Sequence, residues 1–259
     1  MEGTGADRGR RVRGRGARAC GLLLVFVLVG LVSACSRESS EEKLRTQATS
    51  PGAESRRAVE ERKMRALIER LTAVEGLEHV LTRLTDSCAE PHNGSVFEGN
   101  RSPYVLRCGM RAVAYFGVRG DITAVLPRIR VAGVATWGPQ DGQGRDMPYA
   151  AGTVTYALDY HRAHGRRPDG SLLPAPTLVA PGLRIDWDRP GPPLPNRVAE
   201  PAPCPAAGSG IYQRCSTVPK APPSVAAARA RYGTVLAFGL GDGSAASSAY
   251  DYFTVPGPA

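Results

Sequence analysis

The sequence predicts an α+β fold: an antiparallel sheet with an N-terminal amphipathic helix, a second helix packed on it, and two disulfides. Three observations carry this. Apolar residues recur at helical spacing early in the chain, alternate with mixed residues over several later stretches, and are followed by an even set of cysteines at 88, 108, 204 and 215.

The first element begins at Glu54. Val59, Met64, Leu67, Ile68, Leu71 and Val74 fall on one helical face. Arg56, Arg57, Glu60, Glu61, Arg62, Glu69 and Arg70 fill the other, and Gly76 is the expected C-cap. The mixed signs on the charged face suit solvation rather than docking. Next, Leu106, Cys108, Met110, Ala112, Ala114, Phe116 and Val118 alternate as a half-buried strand does. Asp121 caps a second helix whose face is Ile122, Val125, Leu126, Ile129 and Ala132, with Pro127 either kinking it or delaying its start. Strands are expected at Val154–Tyr160, Leu183–Trp187, Tyr232–Leu240 and Tyr250–Val255, with an Ala-rich helix from Ser224 to Tyr232. Residues 165–223 are rich in Pro and Gly and read as fixed surface loops between short ordered pieces, Ile211–Cys215 among them.

Ahead of the folded part stands a targeting device. Six arginines (8, 10, 11, 13, 15 and 18) against Glu2 and Asp7 supply four of the nine net positive charges of the 259-residue chain. An apolar run, Gly21–Val32, follows, and then Ser33-Ala34-Cys35. Charge held on the cytoplasmic side, an apolar stretch and small residues before a cut are the parts of a signal peptide. Leu31-Val32-Ser33-Ala34-Cys35 resembles the bacterial lipobox. The resemblance implies that the Cys35 thiol receives a diacylglycerol and becomes the new N-terminus, which gives the chain a lipid bilayer as partner at the extracytoplasmic face of the cell membrane. Two alternatives remain open, a retained single-pass signal anchor and soluble secretion. As a helix, Gly21–Ala34 would be about 21 Å long, short against a hydrocarbon core of about 30 Å.

The expected organisation is therefore a signal peptide over 1–34, a lipidated Cys35 with a disordered tether over 35–53, and one extracytoplasmic domain over 54–259. Ser, Glu, Thr and Gln dominate 36–52, with one Leu, too little apolar surface to order itself. Cys20 leaves with the signal and Cys35 takes the lipid, so four cysteines remain for an oxidising compartment. Three pairings are possible. The neighbouring one, Cys88–Cys108 and Cys204–Cys215, needs the least long-range closure and is the expectation, each bridge contributing about 3 kcal/mol.

The charge left after the signal is too dilute for nucleic-acid binding, which wants a basic stripe interleaved with aromatics. No Cys-x-x-Cys pair occurs, and His92, four residues after Cys88, has no matching second pair, so neither metal nor cofactor is expected. His161 and His164 lack the Glu of a zinc hydrolase. Gly239-Leu-Gly-Asp-Gly243 lacks the Lys of a phosphate loop, and Gly208-Ser209-Gly210 lacks the nucleophile-elbow frame. Asp141 to Asp146 supplies too few anionic oxygens for calcium, and Arg119-Gly120-Asp121 matches an adhesion tripeptide by accident. Asp186 and Asp188 share a strand face, where paired carboxylates can work as acid and base.

Cys108–Leu126, Gly210–Cys215 and Arg231–Val235 together look like uncharacterised lipoproteins and secreted proteins of actinobacteria. That likeness, over roughly residues 77–255, implies an exported two-disulfide domain and no known activity. Catalytic residues are expected to be none. The functional expectation is a membrane-tethered module binding an unknown envelope protein or ligand. The alternative is an envelope hydrolase using Asp186, Asp188, His161 or His164.

Overall fold

The computed structural model describes residues 40–91, 102–134, 148–180, 183–188, 198–204, 210–241 and 251–257. The chain divides into two compact units, Met1–Thr46 and Gln47–Ala259. Of the first unit only residues 40–46 are described; they are helical, with Glu41 and Arg45 paired one turn apart at 2.6 Å. The helical run continues to residue 48, so the tether expected over 35–53 is ordered from residue 40 onward. Leu44 and Ala48, one turn apart, are buried and the exposed Glu41–Arg45 pair adds to them, which lets a mostly polar stretch hold a helix here. The Ala48 carbonyl accepts a hydrogen bond from the Arg57 guanidinium at 2.9 Å.

In the second unit, helix α1 runs Pro51–Thr72, three residues earlier than expected. Ser50 caps it, Pro51 occupies the first turn, and Arg70 lies near the negative end of the dipole. Its cap is Ala73, not Gly76. Gly76 instead turns the chain at φ +93°, where a Cβ would sit 2.6 Å from Val125 Cγ2. No side chain fits that approach.

Among the described residues seven antiparallel strands form one sheet: β1 (Leu77–Ala89), β2 (Tyr104–Val118), β3 (Thr177–Ala180), β4 (Leu183–Trp187), β5 (Tyr212–Val218), β6 (Val235–Leu240) and β7 (Asp251–Pro256). Their order is β3-β4-β6-β2-β1-β5, and β7 pairs with β2. The long strand β2 organises the sheet. β1 pairs along one edge, while β6 takes Ala112–Gly117 and β7 takes Tyr104–Gly109 on the other.

Strand β1 escaped the sequence reading because its alternation is broken. Leu77 and Leu84 are seven residues apart and would face opposite sides of a regular strand. The irregularity between His79 and Leu81 resets the phase, and both reach the same core.

Helix α2 (Ile122–Val131) is capped by Asp121 as expected and carries Pro127 inside it; Ile122, Val125, Leu126 and Ile129 are fully buried. The expected strand at Val154–Tyr160 is instead part of helix α3 (Pro148–Arg162). Alternation was misleading there. Ala157 and Tyr160 are buried and Val154 and Leu158 pack on the core, which is helical spacing, while Tyr156 points outward to the Pro174 carbonyl. Tyr232 likewise ends helix α4 (Val225–Tyr232) rather than starting β6, because Gly233 at φ +76° stops the helix.

The core lies on both faces of the sheet. On one, α1, α2 and α3 cover Phe116, Ile185, Trp187 and Phe238. Phe116 and Phe238 meet edge to face at 5.2 Å, an arrangement worth about 1 kcal/mol beyond area. On the other, α4 and Val198 cover Val80, Leu81, Tyr115, Val235 and Ala237. The central end of β2 is thus buried on both sides, hence its nearly continuous apolar run.

Both disulfides form as expected. Cys88 and Cys108 are register partners in β1 and β2, and Cys204 is joined to Cys215 of β5. Both bridges place the domain in an oxidising, extracytoplasmic setting. Among the described residues no helix is long and apolar enough to cross a membrane; the apolar run 21–32 and Cys35 lie outside them.

Candidate functional site

Among the described residues a buried charged cluster lies where α1 packs on β1, β2 and β7. Arg57 projects from α1 with its side chain 8% exposed, and Asp86 of β1 is fully buried beneath it. Arg57 Nε stands 2.8 Å from Asp86 Oδ2 and donates to the Tyr252 hydroxyl at 3.1 Å. Tyr252 of β7 in turn donates to Asp86 Oδ1 at 2.6 Å. The guanidinium lies over the Tyr212 ring, 4.0 Å from its centroid. Arginine, carboxylate and phenol thus close a ring, and the fixed fork of Arg57 also ties down Ala48.

A second layer neutralises what remains. Arg214 of β5 reaches Glu61 of α1 at 2.5 Å and Asp86 at 3.6 Å, and Glu61 also accepts from Arg65. Burial raises the Glu61 pKa, but the hydrogen bonds from Arg65 and Arg214 outweigh it and hold the carboxyl below its ordinary value. Burial, then the bond to Asp86, pushes the Tyr252 phenol well above its ordinary value. Tyr252 therefore stays protonated and donating at neutral pH.

Above this ring is a groove of about 310 Å³ between α1 and β7. Ser55, Arg56, Val59, Glu60 and Lys63 form one wall, and Asp251 and Tyr252 the other. Val59, expected on the buried face of α1, is 41% exposed and lines this groove. Two cations and two carboxylates surround one apolar side chain and one phenol ring. Glu60 pairs with Lys63 at 3.1 Å, and Asp251 with Arg107 at 2.5 Å. Such a lining can orient a small ligand carrying both charges, or a polar one, with the exposed Lys63 freest to turn from its partner toward it.

The carboxylates singled out from sequence have other employment. Asp186 accepts from Thr177 at 3.0 Å across the β3–β4 pair and meets Arg184 at 2.9 Å. Asp188 is buried and held two-pronged by Arg229 of α4 at 2.8 and 2.9 Å, while Arg229 also donates to the Val198 carbonyl at 2.7 Å. His161 ends α3, its pKa lowered by burial and then by His164, partly offset by Asp121. His164 leaves that helix at φ +51°. Asp121 accepts from Thr123 N at 2.8 Å as a helix cap, which is the role of the adhesion-like tripeptide's carboxylate. Among the described residues no group of three or more His, Cys, Asp or Glu side chains is placed to hold a metal. His92, Asp141–Asp146, Gly208-Ser209 and Asp242-Gly243 lie outside those residues.

The helical pattern puts Arg57 on the polar face, and no motif marks Asp86 or Tyr252. A signal was present. Arg57 sits seven residues before Met64 and fourteen before Leu71, in phase with the buried stripe of α1. Asp86 likewise alternates with Leu84 and Cys88 on a buried strand face. Compared with protein-family models, curated proteins and solved structures, the chain matches none of them.

Proposed function

We propose that this chain is an exported lipoprotein whose domain stands at the outer face of a cell membrane and binds a small polar or zwitterionic envelope ligand in the groove between α1 and β7. One observation carries the address. The four cysteines beyond residue 35 are joined in two disulfides, so neither bridge needs Cys35, the cysteine that follows the apolar run. The groove supports the binding role: one wall includes Tyr252, whose hydroxyl is bonded to Arg57 and Asp86, so that wall is set before a ligand arrives.

The address is tested by metabolic labelling with a fatty-acid analogue. The wild-type chain takes label and runs as a processed form; Cys35→Ala takes none and accumulates as precursor. Label persisting in Cys35→Ala overturns lipidation at this residue. The binding role is tested by titrating a set of amino-acid, peptide and sugar fragments of bacterial envelope onto the purified protein. Saturable shifts confined to α1 and β7 in amide spectra are the expected result, and shifts located elsewhere overturn the groove.

A further inference from the structure

The two disulfides stand in opposite environments. Cys88 and Cys108 are 1% and 0% exposed, inside the sheet. Cys204 is exposed, and Cys215 lies half-buried on β5, which among the described residues pairs with β1 alone at one end of the strand order. Over the second bridge lies a guanidinium. Arg83 of β1 places one terminal nitrogen 2.7 Å from Cys204 Sγ and 3.4 Å from Cys215 Sγ. Among the described residues no carboxylate pairs with Arg83, and its Nε is buried without a hydrogen-bond partner. One terminal nitrogen of its guanidinium is therefore held against the two sulfurs.

We propose that Cys204–Cys215 is a thiol–disulfide exchange site, opened by a dithiol reductant, with Arg83 stabilising the departing thiolate. A cation beside sulfur favours the thiolate over the thiol, and a better-stabilised thiolate leaves faster. Exposure decides which sulfur is reached. The reductant's first thiolate attacks Cys204 Sγ, forming a mixed disulfide and releasing the Cys215 electron pair as a thiolate beside Arg83. The reductant's second thiolate then attacks its own sulfur in that mixed disulfide, closing the reductant's disulfide and releasing the Cys204 thiolate. Two thiols are oxidised and one protein bridge is reduced, and the two protons released by the reductant are available to Cys204 and Cys215. Cys88–Cys108 takes no part, since no attacking thiolate reaches sulfurs so deeply buried.

The test uses the full chain in native buffer, exposed to graded dithiothreitol, quenched in acid, alkylated and mapped by mass. Cys204 and Cys215 are expected to take the alkylating label while Cys88 and Cys108 stay joined. Arg83→Gln is expected to slow opening by about three- to tenfold, with Arg83→Lys recovering part of the rate. Opening of all four cysteines together, or an unchanged rate in a folded Arg83→Gln, overturns the proposal. A measurement on the unmutated chain guards against a variant that fails to fold. At low salt an anionic thiol, thioglycolate, is expected to open Cys204–Cys215 faster than the cationic cysteamine after correction for thiolate fraction. About 1 M salt is expected to bring the ratio toward one. A ratio at or below one at low salt also overturns the role of Arg83.

Discussion

Arg57 on α1 and Asp86 on β1 form an ion pair at 2.8 Å with side chains only 8% and 0% exposed, and Tyr252 bonds to both. The pair joins the first helix to the sheet at the point where the groove opens. A buried pair of this kind adds little net stability when intact, because desolvation of both charges offsets their attraction. Breaking it leaves one charge without compensation.

Asp86→Ala is therefore expected to destabilise the domain by about 3–5 kcal/mol, read as a lower denaturation midpoint at unchanged slope. The joint replacement Arg57→Met with Asp86→Leu is expected to lose less than Asp86→Ala alone. A double variant as unstable as the sum of the singles would show that the two residues act independently.

Tyr252→Phe keeps the ring in the groove wall and removes the hydroxyl that joins Arg57 to Asp86. A loss of about 1–3 kcal/mol is expected from denaturant titration near neutral pH. Alkali discriminates further. The Tyr252 pKa is raised in the fold above its ordinary 10.0, so its stabilising share is complete below pH 10 and is lost as pH rises beyond that value. The wild type should lose stability between pH 10 and 11 more steeply than Tyr252→Phe; parallel curves would remove Tyr252 from the alkaline limb.

The acid limb has a near-neutral part and a more acid part. His79 and His161 are held below their ordinary 6.5, chiefly by burial, so the folded chain binds fewer protons than the unfolded one and stability falls as pH drops below that value. Glu61 is held below 4.5 despite burial by Arg65 and Arg214, so its share is present above 4.5 and is lost as pH falls through its lower folded value. Thermal melts across pH 3–8 should show Glu61→Gln flattening only the more acid part. Flattening near neutrality instead would contradict the assignment.

Gly117 of β2 faces the ring of Tyr232, and a Cβ there would lie 2.1 Å from Tyr232 Cδ2. Gly117→Ala is expected to destabilise by about 1–3 kcal/mol as α4 is pushed from the sheet. Combining it with Tyr232→Ala should recover part of that loss. An additive double variant would mean that the ring moves freely.

Fold class and disulfide pairing were both legible in one dimension, because each rests on local signals. Alternation over Leu106–Val118, the cap at Asp121, and four cysteines closing the shortest loops all act between near neighbours. Local signals also misled where two periods overlap. Val154, Tyr156, Leu158 and Tyr160 alternate like a strand, yet Ala157 completes a helical face that packs on the core. The order of residues 40–48 was hidden because only Leu44 and Ala48, one turn apart, are buried in an otherwise polar run, too sparse a pattern to read before the chain has folded.

The sequence by itself determined the export signal as an expectation, the α+β class and the two bridges. Only the tertiary structure decided that Arg57 and Asp86 are buried partners, that Tyr252 closes their ring beneath a groove, and that Arg83 lies on the exposed disulfide. The reason is physical. Each of these relations joins residues far apart along the chain, through charges whose burial depends on what the sheet brings above and beside them. Composition and spacing record which charges a chain carries, whereas desolvation and pairing arise only once the strands have met.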